Sequence, residues 1–177
     1  MEVADKTANP TAQSTAYFTL AYLLKKSEPA RALGLFDEAA RLAGGVQNFW
    51  WYGIALMEAA ATRAVHGGPV VAAGLFIEVL DHWDRVGDWA QQWITLRHVT
   101  RLLARLADDD AVFVHCALVK AGKPSPLHAA QLSILQDRLG ADWFDAHVAS
   151  AADGTAAVAR ARSGLQQFAE RTAMLVV

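Results

Sequence analysis

Gly34-Leu35-Phe36-Asp37-Glu38-Ala39 returns forty residues further on as Gly74-Leu75-Phe76-Ile77-Glu78-Val79. A shift of that size is one helix, a turn and a second helix. A period of about 34 to 47 residues marks arrays of helical hairpins, in which no hairpin buries its apolar face alone and each stacks on the next. The repeat therefore predicts an all-α solenoid, a right-handed α-α superhelix, in preference to a closed bundle. Phe36 and Phe76 become knobs between repeats. Ala32, Ala39, Ala59, Ala60 and Ala72 fall where helices must approach closely.

Working outward from the repeat, the punctuation divides the chain into helix-length segments. Asn9 and Pro10 open a helix to about Lys26. Ser27 and Pro29 open a second, ending near Gly44-Gly45. Asn48 starts a third to about His66, and Pro69 a fourth that ends near Gly87. Asp88 caps a fifth to about Ala107, and Asp108-Asp109-Asp110 places negative charge at the start of a sixth, where the helix macrodipole favours it. Lys123-Pro124-Ser125-Pro126 reads as a linker before helices near 127–139, 141–151 and 154–173. The expected organisation is three hairpins over 1–122, a linker at 123–126, and C-terminal helices over 127–177 that pack on the stack as part of a single domain. Within the fifth segment, Leu96, Val99, Leu103 and Leu106 recur at steps of three and four, the spacing of a buried helix face.

Composition agrees with this reading and excludes several functions. Of 177 residues, 54% are hydrophobic and 19% charged, which is enough apolar surface for a packed core. Alanine makes up about one residue in five, more than strands favour. The net charge is −2, so the chain is not built to neutralise nucleic-acid phosphates or to coat an anionic membrane. Cys116 is the single cysteine, which excludes an internal disulfide and a cysteine zinc cluster. The first residues lack a signal-peptide pattern and no charge-free apolar run reaches about 18 residues. A cytoplasmic protein is the expectation.

The hairpins resemble tetratricopeptide repeats. Leu56, Ala59 and Ala60, Gly67 at the turn, and Ala72, Phe76 and Val79 match the large, small and aromatic positions of that family in the second hairpin. Tyr17, Leu20, Ala21, Ala32, Phe36 and Ala39 match them in the first, and Val112 and Cys116 depart from them in the third. The segment Asp81-His82-Trp83-Asp84-Arg85-Val86-Gly87-Asp88-Trp89-Ala90-Gln91-Gln92-Trp93-Ile94-Thr95-Leu96-Arg97 is similar to a stretch in the repeat-containing C-terminal region of bacterial signal-transduction ATPases and LuxR-type or cyclase-like transcriptional regulators. This likeness spans roughly residues 9 to 160. It implies a non-enzymatic module that docks or senses, with a protein segment or a neighbouring ATPase or regulator domain as partner. The phosphate loop and the DNA-reading helix of such proteins are not in this sequence.

Trp93, Arg97, Arg101 and Arg105 recur every four residues and form one stripe on the fifth helix. In a tetratricopeptide-like stack this stripe faces the concave groove, where guanidinium forks grip the carboxylates of an acidic partner. The competing reading is a solvated face, paired with Asp81, Asp84 or the Asp108–Asp110 run. Met57 and Glu58, with Ala61, are the candidate groove floor. The four rings Phe49-Trp50-Trp51-Tyr52 diverge by about 100° per residue and cannot share one core. Trp50, Trp51 and Tyr52 are thus candidates for packing between hairpins, a partner contact or a homodimer patch. The alternative function is a small-molecule sensor with its effector between this cluster and the third hairpin. Glu78, Asp81 and His82 have a helical metal spacing but no further ligand, so neither metal nor cofactor is expected. His115 and Cys116 point apart as helix neighbours, Cys116 reads as core, and no catalytic residue is assigned.

Overall fold

The computed structural model describes residues 9–106, 108–150 and 153–174, and every regular element among them is helical. Ala107, expected at the end of the fifth helix, and the expected outermost segments 1–8 and 175–177 lie outside the described residues. Nine helices are described: α1 Pro10–Leu24, α2 Pro29–Gly45, α3 Phe49–His66, α4 Pro69–Val86, α5 Trp89–Arg105, α6 Asp110–Lys120, α7 Ala129–Leu139, α8 Ala141–Ser150 and α9 Gly154–Met174. No described helix is long and apolar enough to cross a membrane.

Side chains expected to begin helices do so by satisfying amide donors the first turn leaves open. Asn9 accepts from the Thr11 and Ala12 amides, Asn48 from Trp51 and Asp88 from Gln91. Gly67 ends α3 at φ 113°, a left-handed conformation that a side chain would strain. The second helix differs in one detail. Glu28 rather than Ser27 is its N-cap residue, and the Ser27 hydroxyl instead donates back to the Leu24 carbonyl.

The chain divides into two compact units, Met1–Leu75 and Phe76–Val177, with the division inside α4. In the first unit α1, α2 and α3 pack pairwise on one another. Connections of four and three residues turn the chain back each time, so sequential helices run as antiparallel neighbours. Ala21, Ala32, Phe36 and Ala59 form one core cluster, joined by Phe18, Leu24, Leu33 and Leu35. Ala39, Ala40 and Ala55 form another, against which Tyr17, Tyr52 and Leu56 pack. The repeated hexapeptide behaves alike in both copies. Phe36 and Phe76 are fully buried, as are Ala39 and Val79, while Gly34 and Gly74 face solvent. Ala32 and Ala72, four residues before each phenylalanine, are fully buried too.

In the second unit α5 and α6 form a hairpin, and α9 lies against both. Three ion pairs hold α9 there: Arg160 to Asp110 at 3.0 Å, Arg171 to Asp108 at 2.8 Å, and Arg162 to Asp81. The approach is close at two glycines. A Cβ on Gly154 would stand 2.7 Å from the Trp89 ring and 2.9 Å from the Trp93 ring, and one on Gly164 would stand 2.9 Å from an Asp110 carboxylate oxygen. The 123–126 stretch is an internal connection of this unit. Its Lys123 amide donates to the Leu118 carbonyl, and Pro126 and Leu127 are buried.

Candidate functional site

The stripe on α5 begins with Trp93, whose half-buried ring lies 5.9 Å from that of Trp89 and against Gly154, with Lys123 Nζ 5.8 Å from its centroid. Trp93 thus anchors the start of α9 and borders a shallow cavity of about 420 Å³ with Ala117, Lys120, Ala121 and Asp153. Arg97 follows one turn on. Its Nε is buried and has no acceptor among the described residues. Arg101 donates from Nε to the Pro126 carbonyl at 3.3 Å. Partial burial first, and the adjacent Arg97 charge second, hold the Arg101 guanidinium below its ordinary range. A guanidinium still stays protonated at neutral pH, so two positive charges stand side by side. Among the described residues neither is in an ion pair. Arg105 differs, having a partner of its own.

Three of the five carboxylates that could neutralise the α5 arginines are claimed elsewhere. The solvated-face reading pairs α5 with Asp81, Asp84 or the Asp108–Asp110 run, yet α9 supplies arginines to Asp81, Asp108 and Asp110 from 50 to 81 residues away in sequence. Asp108 and Asp110 retain only 8% and 12% side-chain exposure in those pairs. This leaves a local imbalance: paired charges where α9 crosses the hairpin, unpaired positive charge on the α5 stripe.

The proposed groove floor belongs to the first unit and is buried there. Met57 is 3% exposed, and the Glu58 carboxylate accepts from Lys25 Nζ at 2.8 Å. Its charge is therefore already answered within the unit. The aromatic run divides as helical geometry requires. Phe49 and Trp50 are exposed, whereas Trp51 lies edge-on to Phe18 with centroids 5.3 Å apart and Tyr52 covers Gly44. Trp51 and Tyr52 are packing residues between α3 and the first hairpin, and Trp50 stacks edge-on to Trp51 from the outside.

Among the described residues no group of three or more His, Cys, Asp or Glu side chains converges as a metal would need. Asp81 is held by Arg162, and His82 is buried edge-on to Trp83. His115 is buried and lies 3.5 Å from the Ser125 hydroxyl, but that hydroxyl donates to the Leu127 carbonyl at 2.7 Å, so it is not poised as a nucleophile. Burial pushes the His115 imidazole down and the Cys116 thiol up from their ordinary values, leaving both neutral near pH 7. Cys116, expected to be core, is half-buried and packs against the buried cluster of Val112, Leu127 and Leu135.

Sequence reasoning missed a second concavity. A cavity of about 580 Å³ opens where the α5–α6 turn meets α7, α8 and α9, bordered by Asp109, Arg138, Trp143, Arg160, Phe168 and Arg171 among others. The signal in sequence was the arginine spacing of α9, which has meaning only once the helix crosses the acidic turn.

No family model, curated protein or solved structure matches this chain.

Proposed function

We propose that this chain is a non-enzymatic helical-hairpin docking module of the tetratricopeptide-like kind, which grips an acidic protein segment through Arg97 and Arg101. The observation that carries the reading is the adjacent, unneutralised guanidinium pair on α5, beside a linker carbonyl and an indole. Like charges held together raise each other's free energy, and an incoming carboxylate relieves that cost while forming charge-assisted hydrogen bonds. The Nε groups of Arg63, Arg97 and Arg162 are all buried donors without an acceptor, but of the three only Arg97 has no ion-pair partner among the described residues. The α5–α6 hairpin with α9 against it supplies the frame for the arginine pair, and a signalling ATPase or transcriptional regulator is the kind of protein that would use such a module. A glutamate-rich peptide titrated calorimetrically into the chain tests this. Binding that weakens by about tenfold or more in Arg97→Glu with Arg101→Glu, at unchanged helicity, supports the reading. Equal binding by the variant refutes it.

A second reading, effector sensing, is favoured by the cavity beside Trp143 and Phe168, whose volume lies in the range of small-molecule sites. A metabolite that raises the melting temperature of the wild type, and of Phe168→Ala much less, supports that alternative.

A further inference from the structure

Ion pairs in contact with water contribute little to binding and are screened by salt, so two guanidiniums grip an acidic segment weakly by themselves. Arg97 is half-buried and Arg101 exposed. Affinity at such a site comes from an apolar anchor seated in a pocket beside the charges. The cavity of about 420 Å³ next to the stripe has the lining for one. Trp93, one helical turn before Arg97, borders it together with Ala117, Ala121 and Gly154. The small residues leave the indole as its main apolar surface. Charge around the cavity is of one sign with a single exception among the lining residues. Lys120 stands on its border, Lys123 Nζ lies 5.8 Å from the Trp93 centroid, and Arg97 and Arg101 continue the series along α5. The exception is Asp153, and one of its carboxylate oxygens caps α9 by accepting from the Ala156 amide at 2.9 Å.

We propose that the acidic segment held by Arg97 and Arg101 also carries a large aliphatic side chain, which seats in this cavity against Trp93, with its carboxylates at alternate positions from that residue. The proposal rests on the docking reading above and specifies the partner. Trp93, Arg97 and Arg101 follow one another at four-residue steps, each a rise of about 6 Å along the helix. Side chains on one side of an extended chain recur every two residues, or about 6.6 Å. An extended segment with carboxylates two and four residues from its apolar residue therefore meets the indole and both guanidiniums in register. Carboxylates one and three residues away point to the opposite side. The chemistry of the cavity selects its occupant by charge as well as by shape. A cationic side chain would be repelled by Lys120 and Lys123, and a neutral polar one would lose water against alanine and indole without a partner in return. A leucine side chain loses nothing polar and removes apolar surface from water.

Calorimetric titration of three peptides into the full chain tests this. The first is Glu-Ser-Glu-Ser-Leu-Ser-Glu-Ser-Glu, which has the required spacing in either chain direction. The second replaces its leucine by alanine. The third, Ser-Glu-Ser-Glu-Leu-Glu-Ser-Glu-Ser, has the composition of the first with the glutamates moved to odd spacings. The first is expected to bind about tenfold or more tighter than each of the others. Its advantage over the alanine peptide should persist when salt rises from about 50 to about 500 mM, even as all three weaken, because the increment is apolar. Ala121→Trp, at an exposed position on the cavity border, fills the cavity and should abolish that advantage while leaving circular dichroism and the alanine peptide's affinity unchanged. The alanine peptide reports on the arginine pair alone. If it binds and Arg97→Glu with Arg101→Glu abolishes that binding, the docking reading stands whatever the leucine does. Equal affinity of the leucine and alanine peptides, equal affinity of the two leucine peptides, or an advantage that survives Ala121→Trp overturns the anchor proposal alone. Failure of all three peptides to bind overturns both.

Discussion

Replacing Gly154 by alanine should loosen the last helix, and the size of the effect follows from the geometry. The added Cβ would stand 2.7 Å from Trp89 Cζ3 and 2.9 and 3.0 Å from two atoms of the Trp93 ring. Carbon atoms in contact prefer about 3.5 to 4.0 Å, so one or both indoles must retreat by the better part of an ångström. Trp89 is partly exposed and can swing outward; Trp93, wedged between Gly154 and Lys123, has less room. Overpacking of this kind costs about 1–3 kcal/mol, against a gain of up to about 1 kcal/mol from stiffening a helical glycine. A net loss of about 1–2 kcal/mol is the expectation, or some 2–8 °C in melting temperature for a chain of this size. Urea unfolding followed by tryptophan fluorescence reads it, since both indoles lie at the contact. A variant as stable as the wild type would refute the close approach of α9 to α5.

The opposite sign is expected at the two glycines of the repeat. Nothing stands within 4 Å of a Cβ built on Gly34 or Gly74, both are mid-helix and exposed, and each change to alanine should therefore stabilise by about 0.5–1 kcal/mol in urea titrations. For pH, burial depresses the His115 imidazole below its ordinary value of 6.5, so the unfolded chain binds the proton more readily than the folded one. Stability should fall as pH drops below about 6.5 and level off once the folded-state value is passed; His115→Gln should flatten that part of the urea-midpoint profile.

How much of this was legible beforehand depends on the range of the interactions. Helix starts at Asn9, Asn48 and Asp88 are set by side chains bonding amides two or three residues away, and the sequence displays them directly. Phe36 and Phe76 could be matched because both copies of the hexapeptide bury the same positions. The charge network could not be read in the same way. Asp81, Asp108 and Asp110 appear from spacing to belong with the arginines of α5, the nearest cations in sequence. Only the crossing of α9 brings Arg160, Arg162 and Arg171 to them, and Gly154 and Gly164 are the small residues that make room. Glu58 was similarly opaque. A carboxylate on a helix reads as surface until Lys25, 33 residues earlier, is found against it. The effect on the candidate site is to separate its members: Arg97 and Arg101 stay unneutralised, Trp93 becomes an anchor for α9, and Met57 and Glu58 turn inward.

The docking account is tested most directly by following the arginine side chains themselves. In a nitrogen-15 spectrum of the Nε–H groups, added glutamate-rich peptide should shift the signals of Arg97 and Arg101 in a saturable way, with Arg97 moving most because, unlike Arg162, its guanidinium begins without an ion-pair partner among the described residues. The signals of Arg160, Arg162 and Arg171 should stay in place, since their carboxylates are already bound. Saturable shifts confined to those three, with Arg97 and Arg101 unmoved, would contradict the account.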